Sequence, residues 1–221
     1  MIMNENSATT RVTFVRHGHV YNPDNVIYGR LPGFELSHVG RQQAAAAAHD
    51  LRDIELSAVY CSPQQRAQQT AEIILHHHPN LSPITAPLID EIRSYFEGRP
   101  AEEVEARGWD LYTGIGEGYE VPTDIGARGA KFVTDLRTTH TGQHIVAVSH
   151  GDVIAFTLLW AMGAPLQVAL KRHLDHYGIT DRYPATASLT TLIYSSQHPD
   201  APPKVDYWRP YSDELIADTL S

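Results

Sequence analysis

Val12-Thr13-Phe14-Val15-Arg16-His17-Gly18-His19 is the stretch on which the fold turns. Its first four residues are β-branched or aromatic, the composition of a short buried strand. A guanidinium, an imidazole and a glycine that permits a sharp turn follow directly. In an open α/β sheet, ligands bind beyond the carboxyl ends of the strands, which puts Arg16 and His17 where chemistry is expected. Alone, the same residues fit a cationic surface loop equally well.

Two further stretches repeat the pattern. Ala58-Val59-Tyr60-Cys61 reads as a strand, then Ser62 caps a helix with Pro63 at its first position. That helix carries Arg66 and Thr70-Ala71-Glu72-Ile73-Ile74-Leu75, and ends near His76-His77-His78. Adjacent histidines on a helix point in different directions, which argues against a metal site there. Ile145-Val146-Ala147-Val148 is the clearest buried strand, running into Ser149-His150-Gly151-Asp152 and an apolar helix from Val153 to Met162. Elsewhere Ser37 caps a helix through Ala44–Ala48 to Leu51, and another helix spans about Asp124 to Thr139. A short helix runs from Ala101 to Arg107, and Ala187 to Tyr194 forms a further strand. The tail, with Pro202-Pro203 and Asp218, reads as peripheral.

Alternating strands and helices predict an α/β fold, and parallel strands would line their carboxyl ends along one edge. Arg16, His17, Arg66 and His150 then converge on a site for a compact dianion. Guanidinium forks match phosphate oxygens in a way an ammonium cannot. A neutral imidazole there can attack phosphorus. The leaving alkoxide needs a proton, for which Asp90 and Glu91 are the nearest carboxylates in sequence.

The bulk numbers fit. The 221 residues suffice for one substantial core, and 42% hydrophobic with 19% charged content is that of an ordinary globule. A net charge of −9 argues against a nucleic-acid partner. The single cysteine, Cys61, excludes an internal disulfide and suits a reducing cytoplasm. It reads as a small buried apolar residue. The first ten residues lack the apolar run of a signal peptide, and no stretch is long enough to span a membrane.

Val15-Arg16-His17-Gly18, Ser62-Pro63 with Arg66-Ala67 and Gln69-Thr70-Ala71, and Val148-Ser149-His150-Gly151-Asp152 together resemble the histidine phosphatase superfamily, also called phosphoglycerate mutase-like, with its RHG motif. Gly29, Leu36-Ser37, Gly40 and Gln43-Ala44 fit the family's first loop and helix. The resemblance implies a three-layer sandwich with a mostly parallel central sheet flanked by helices. Residues 1–221 form one domain on this reading, with an excursion at about 88–122 over the active site.

The resemblance makes His17 the phosphorylated nucleophile and Arg16, Arg66 and His150 the groups that hold the phosphoryl oxygens. Asn22 and the Gly29 backbone fall in the loop that touches phosphate or substrate. Glu91 resembles the general acid, with Asp90 its rival because a Phe96-Glu97-Gly98 ending departs from the common pattern. Glu91 is favoured since a higher solution pKa needs less raising to hold a proton near neutrality. Tyr28, Arg30, Arg93 and Tyr95 are candidates for the substrate end, while His19 and His38 lie outside the chemistry.

The implied activity is a metal-independent, cofactor-free phosphatase acting on a small phosphorylated metabolite in the cytoplasm, with a homodimer left open. The alternatives are a cofactor-dependent phosphoglycerate mutase, a catalytically weak phosphate-binding regulatory module and, more remotely, a metal-dependent hydrolase. The chain is shorter than the family's glycolytic mutases, which favours the phosphatase.

Overall fold

A computed structural model describes residues 9–212 and residue 215; the polar residues 1–8 and Asp218 of the tail lie outside them. The elements are β1 (Thr9–Arg16), α1 (His38–Leu51), β2 (Ala58–Cys61), α2 (Gln65–Leu75), β3 (Pro83–Thr85), α3 (Ala101–Glu105), α4 (Pro122–Thr139), β4 (His144–Ser149), α5 (Gly151–Ala161), β5 (Leu189–Ser195) and β6 (Lys204–Trp208). They form one six-stranded sheet in the order β3-β2-β4-β1-β5-β6. The first four strands of that order pair in parallel, whereas β5 and β6 are antiparallel.

Strand alternation explains the three layers. Phe14, Ala58, Ile145 and Ala147 face one core with Ile125, Phe132 and Val133 of α4 and the apolar α5. Their neighbours Val15, Val59, Cys61, Val146 and Val148 face the other, with Ala47, Ala48 and Leu51 of α1 and Ala67, Ala71 and Ile74 of α2. The alanine run thus serves close helix-to-sheet packing. Cys61 belongs to this core, and burial pushes its thiol up to about 11, with Glu72 adding to the shift. Packed against both the sheet and α4, helix α5 is buried on nearly every side, so it reads as continuously apolar.

Several boundaries differ from the sequence reading. Ser37 does cap α1, accepting from the Gly40 N–H. Ser62 does not cap α2, which begins at Gln65; its hydroxyl donates to Asp90 instead. Helix α3 stops at Glu105, before Gly108 and Trp109 turn left-handed. Ala187 is also left-handed, which delays β5 to Leu189. Strands β3 and β6 carry no clear sequence signal because both are exposed edges, one only three residues long. The tail past Pro202-Pro203 is therefore an edge strand. Among the described residues no helix is long and apolar enough to cross a membrane.

At the far end of the sheet, His144 meets the Thr13 hydroxyl through Nε2 at 2.7 Å. Burial and the Arg11 charge lower its pKa to about 4. Between pH 6.5 and about 4 the unfolded chain takes up this proton and the folded chain does not. Stability should therefore fall as pH falls through that window, by on the order of 3 kcal/mol at most from this group. Denaturant unfolding at a series of pH values checks this. The slope should be shallower in His144→Gln, and an unaltered slope would reject the assignment.

Candidate active site

Strand register brings the chemistry together. In the parallel β1–β4 pair, Arg16 lies opposite Ser149. The next residues, His17 and His150, leave the sheet side by side with ring centroids 5.1 Å apart. Strand β2 pairs Cys61 with Val148, which sets Ser62 alongside. Arg66 reaches back from the first turn of α2. The loop after β1 is held by His17 N–H to Ser149 O (3.0 Å) and Gly18 N–H to Thr70 Oγ1 (3.2 Å). Gly18 is required because a Cβ there would sit 2.3 Å from the Gly40 carbonyl oxygen.

His17 is buried, and its Nδ1 donates to Gly18 O at 2.8 Å. That bond fixes the tautomer and leaves the Nε2 lone pair facing the site, where Arg66 Nε donates to it at 3.3 Å. Burial, then the charges of Arg66, His150 and Arg16, hold the His17 pKa well below the ordinary histidine value. The imidazole is therefore held neutral at ordinary pH.

Arg66 joins the remaining groups. Its Nη2 donates to Gly29 O (2.8 Å), Glu91 Oε2 (3.2 Å) and His150 Nδ1 (3.2 Å), and its guanidinium lies 4.7 Å from the Tyr28 ring centroid. Ligand atoms of His17, Glu91 and His150 lie within 4.8 Å of one another, a spacing that could hold a metal ion. Arg66 donates to all three, so its cationic fork already uses those lone pairs and opposes a second cation.

The two rival carboxylates separate cleanly. Glu91 Oε2 lies 3.1 Å from His150 Nδ1 and faces the cavity. Asp90 turns away: its Oδ1 accepts from Ser62 Oγ (3.1 Å) and Gln64 Nε2 (2.8 Å), and Oδ2 pairs with Arg30 Nε at 3.4 Å. Ser62 Oγ in turn lies 2.7 Å from His150 Nε2, so Asp90 orients His150 through the serine. Contrary to the expectation from its solution pKa, Glu91 does not hold a proton through a raised pKa here. Burial raises its pKa, but His150, Arg66 and the Ile92 N–H outweigh burial and hold the carboxyl well below its usual range. Burial and Arg66 lower the His150 pKa while Glu91 pulls it up.

The cavity beside these groups has a volume of about 380 Å³, the size of a small-molecule site. Arg16 lines it with Nη1 donating to Pro184 O (2.9 Å), while its Nε is buried with no acceptor. A donor so placed suits an oxyanion. Asn22 also lines the cavity, yet its amide bonds Val26 N–H and C=O and so braces the loop. Gly29 contributes its carbonyl to Arg66. Of the candidates for the substrate end, Tyr28 alone lines the cavity; Arg30 braces Glu91 O and Glu120, while Arg93 and Tyr95 are exposed outside it. His19 sits on Ser37 Oγ, at the cap of α1.

Sequence reasoning missed a second buried cluster on this wall. Asp152 accepts from Tyr112 (2.5 Å), Lys171 (2.7 Å) and Tyr183 (2.7 Å). Asp152 stands in the quoted His150-Gly151-Asp152 stretch, but its partners come from unpatterned segments. The excursion after Leu88 contributes Glu91, Ile92, Ser94, Ala101, Trp109 and Leu111 to the wall.

Residues 12–192 match the family described as histidine phosphatase superfamily (branch 1). An uncharacterized protein of Mycobacterium tuberculosis is 38% identical over 192 residues, 84% of this chain and 90% of its own length. Fructose-2,6-bisphosphatase TIGAR B of Danio rerio is 43% identical over 103 residues, 44% of this chain and 40% of that one. The structure of a mycobacterial glucosyl-3-phosphoglycerate phosphatase superposes with a TM-score of 0.72 at 23% identity, covering 91% of this chain and 99% of that one, a likeness of fold.

Proposed function

The chain belongs to the histidine phosphatase superfamily, and from that premise we propose that it hydrolyses small phosphomonoesters through a phosphohistidine at His17. One observation carries the reading: a buried neutral imidazole whose free Nε2 meets Arg66, beside the unpaired Nε of Arg16. The Nε2 lone pair attacks phosphorus and the ester P–O bond breaks. Arg16, Arg66 and His150 hold the equatorial oxygens as charge develops. Glu91 donates the proton to the leaving alkoxide, then takes one from the water that cleaves the P–N bond and frees inorganic phosphate. Paired with His150 and Arg66 alone, Glu91 is ionised; a bound phosphoryl dianion competes for those two groups, and its charge raises the carboxyl pKa. The likeness to a fructose-2,6-bisphosphatase supports a small phosphorylated metabolite as substrate.

Brief exposure to a panel of radiolabelled phosphomonoesters should leave an acid-labile, alkali-stable label on wild-type protein and none on His17→Ala. No label with any ester would leave only a phosphate-binding module. Interconversion of 2- and 3-phosphoglycerate faster than phosphate release would make the protein a mutase.

The acid is tested by leaving group. Glu91→Gln should lower kcat about 100-fold for an alkyl phosphate and only a few-fold for a nitrophenyl ester, whose leaving group needs no proton. Asp90→Asn should show no such dependence on leaving group; the reverse pattern would exchange their roles.

A further inference from the structure

Arg172 stands at the mouth of the catalytic cavity with a guanidinium edge that the fold does not use. It is exposed and lines the cavity. Among the described residues no carboxylate or carbonyl accepts from it; its contacts are the rings of Trp109 and Tyr183, at 5.4 and 5.5 Å. Of the other cations of the wall, Lys171 pairs with Asp152, and Arg16, bonded to Pro184 O through Nη1, keeps its buried Nε for the phosphoryl site. Aromatic rings around a guanidinium restrict its plane and leave the N–H edge free for a bidentate oxyanion.

Both rings are themselves held. Trp109 has φ +64°, a left-handed backbone that costs energy in a bulky residue and persists where its surroundings demand it. Tyr183 donates to Asp152 and packs so tightly on Gly151 that a Cβ there would lie 2.2 Å from its hydroxyl. The same tyrosine ring also carries Arg16, 5.3 Å from the centroid. With Arg172 at 5.5 Å from that centroid, the two guanidinium carbons are at most about 11 Å apart. A short carbon chain with an anion at each end can span a separation within that bound.

We propose that Arg172 binds a second oxyanion, carboxylate or phosphate, on the free end of the substrate, so that the cavity selects phosphomonoesters that are themselves acids. The proposal rests on the reading of Arg16 and His17 as the phosphoryl site. It is tested by calorimetric binding to His17→Ala protein, chosen because turnover is expected to be lost there, with matched ligand pairs. The first pair is 3-phosphoglycerate against glycerol 3-phosphate; the second is fructose 1,6-bisphosphate against fructose 6-phosphate. The acid should bind about 10- to 30-fold more tightly in at least one pair, and adding Arg172→Gln should bring that ratio within about threefold. The pair with the larger ratio identifies carboxylate or phosphate. Ratios near one in both pairs, or a ratio that survives Arg172→Gln, overturn the proposal. Because binding is read without catalysis, failure of the phosphoenzyme experiment would defeat the phosphatase reading and leave this result to stand or fall on its own.

Discussion

Replacing His17 by Ala is expected to lower kcat/KM by roughly four powers of ten or more for every ester that the protein turns over. No neighbouring nucleophile can substitute. His150 is the nearest imidazole, but its Nε2 is committed to Ser62 Oγ and its Nδ1 to Arg66 and Glu91. Cys61 is buried in the core with its thiol pKa raised, so it offers no thiolate. The same variant carries a second signature. Because the folded His17 pKa is lowered, the unfolded chain alone takes up its proton as pH drops below the ordinary histidine value. The wild-type imidazole therefore costs stability in acid, and His17→Ala should lose stability less steeply below pH 6.5. A collapse of activity with a shallower acid slope in denaturant titrations identifies a buried neutral nucleophile. Activity within tenfold of wild type would remove His17 from the chemistry.

The central strands and the residues just past them were legible because each strand is a buried apolar run ending in a group that apolar surroundings do not favour. Val148 running into Ser149-His150 is the plainest case, and the β1–β4 register turns that adjacency into contact. What stayed hidden depends on long-range pairing. Whether Asp90 or Glu91 faces the cavity follows from Ser62, Gln64 and Arg30 claiming Asp90, which no spacing rule foretells. The Asp152, Lys171 and Tyr183 cluster joins a helix start to the segment after α5, where periodicity is absent. Edge strand β6 alternates exposed and half-buried residues, so it looks like tail until β5 is there to pair with it. Burial writes itself into sequence; partnership across the fold does so only when the partners also have local pattern.

Arg66→Lys should lower kcat by about two to three powers of ten although the positive charge is kept. The guanidinium here is a junction: Nε reaches His17, and Nη2 reaches Gly29 O, Glu91 and His150. An ammonium on a shorter stem offers donors from a single atom and cannot serve Nε and Nη2 positions together. It would also lose the guanidinium's contact with the Tyr28 ring. Because a charge remains near Glu91, the buried carboxylate still has a counter-ion, and thermal stability should fall less than a neutral Arg66→Met replacement would cause. The distinguishing readout is how the loss divides. If Arg66 grips phosphoryl oxygens most strongly as charge builds on them, kcat falls much more than KM rises. A rise in KM alone would make Arg66 a ground-state contact. Near-normal kinetics would show that its contacts with His17, Glu91 and His150 serve the fold and not the reaction.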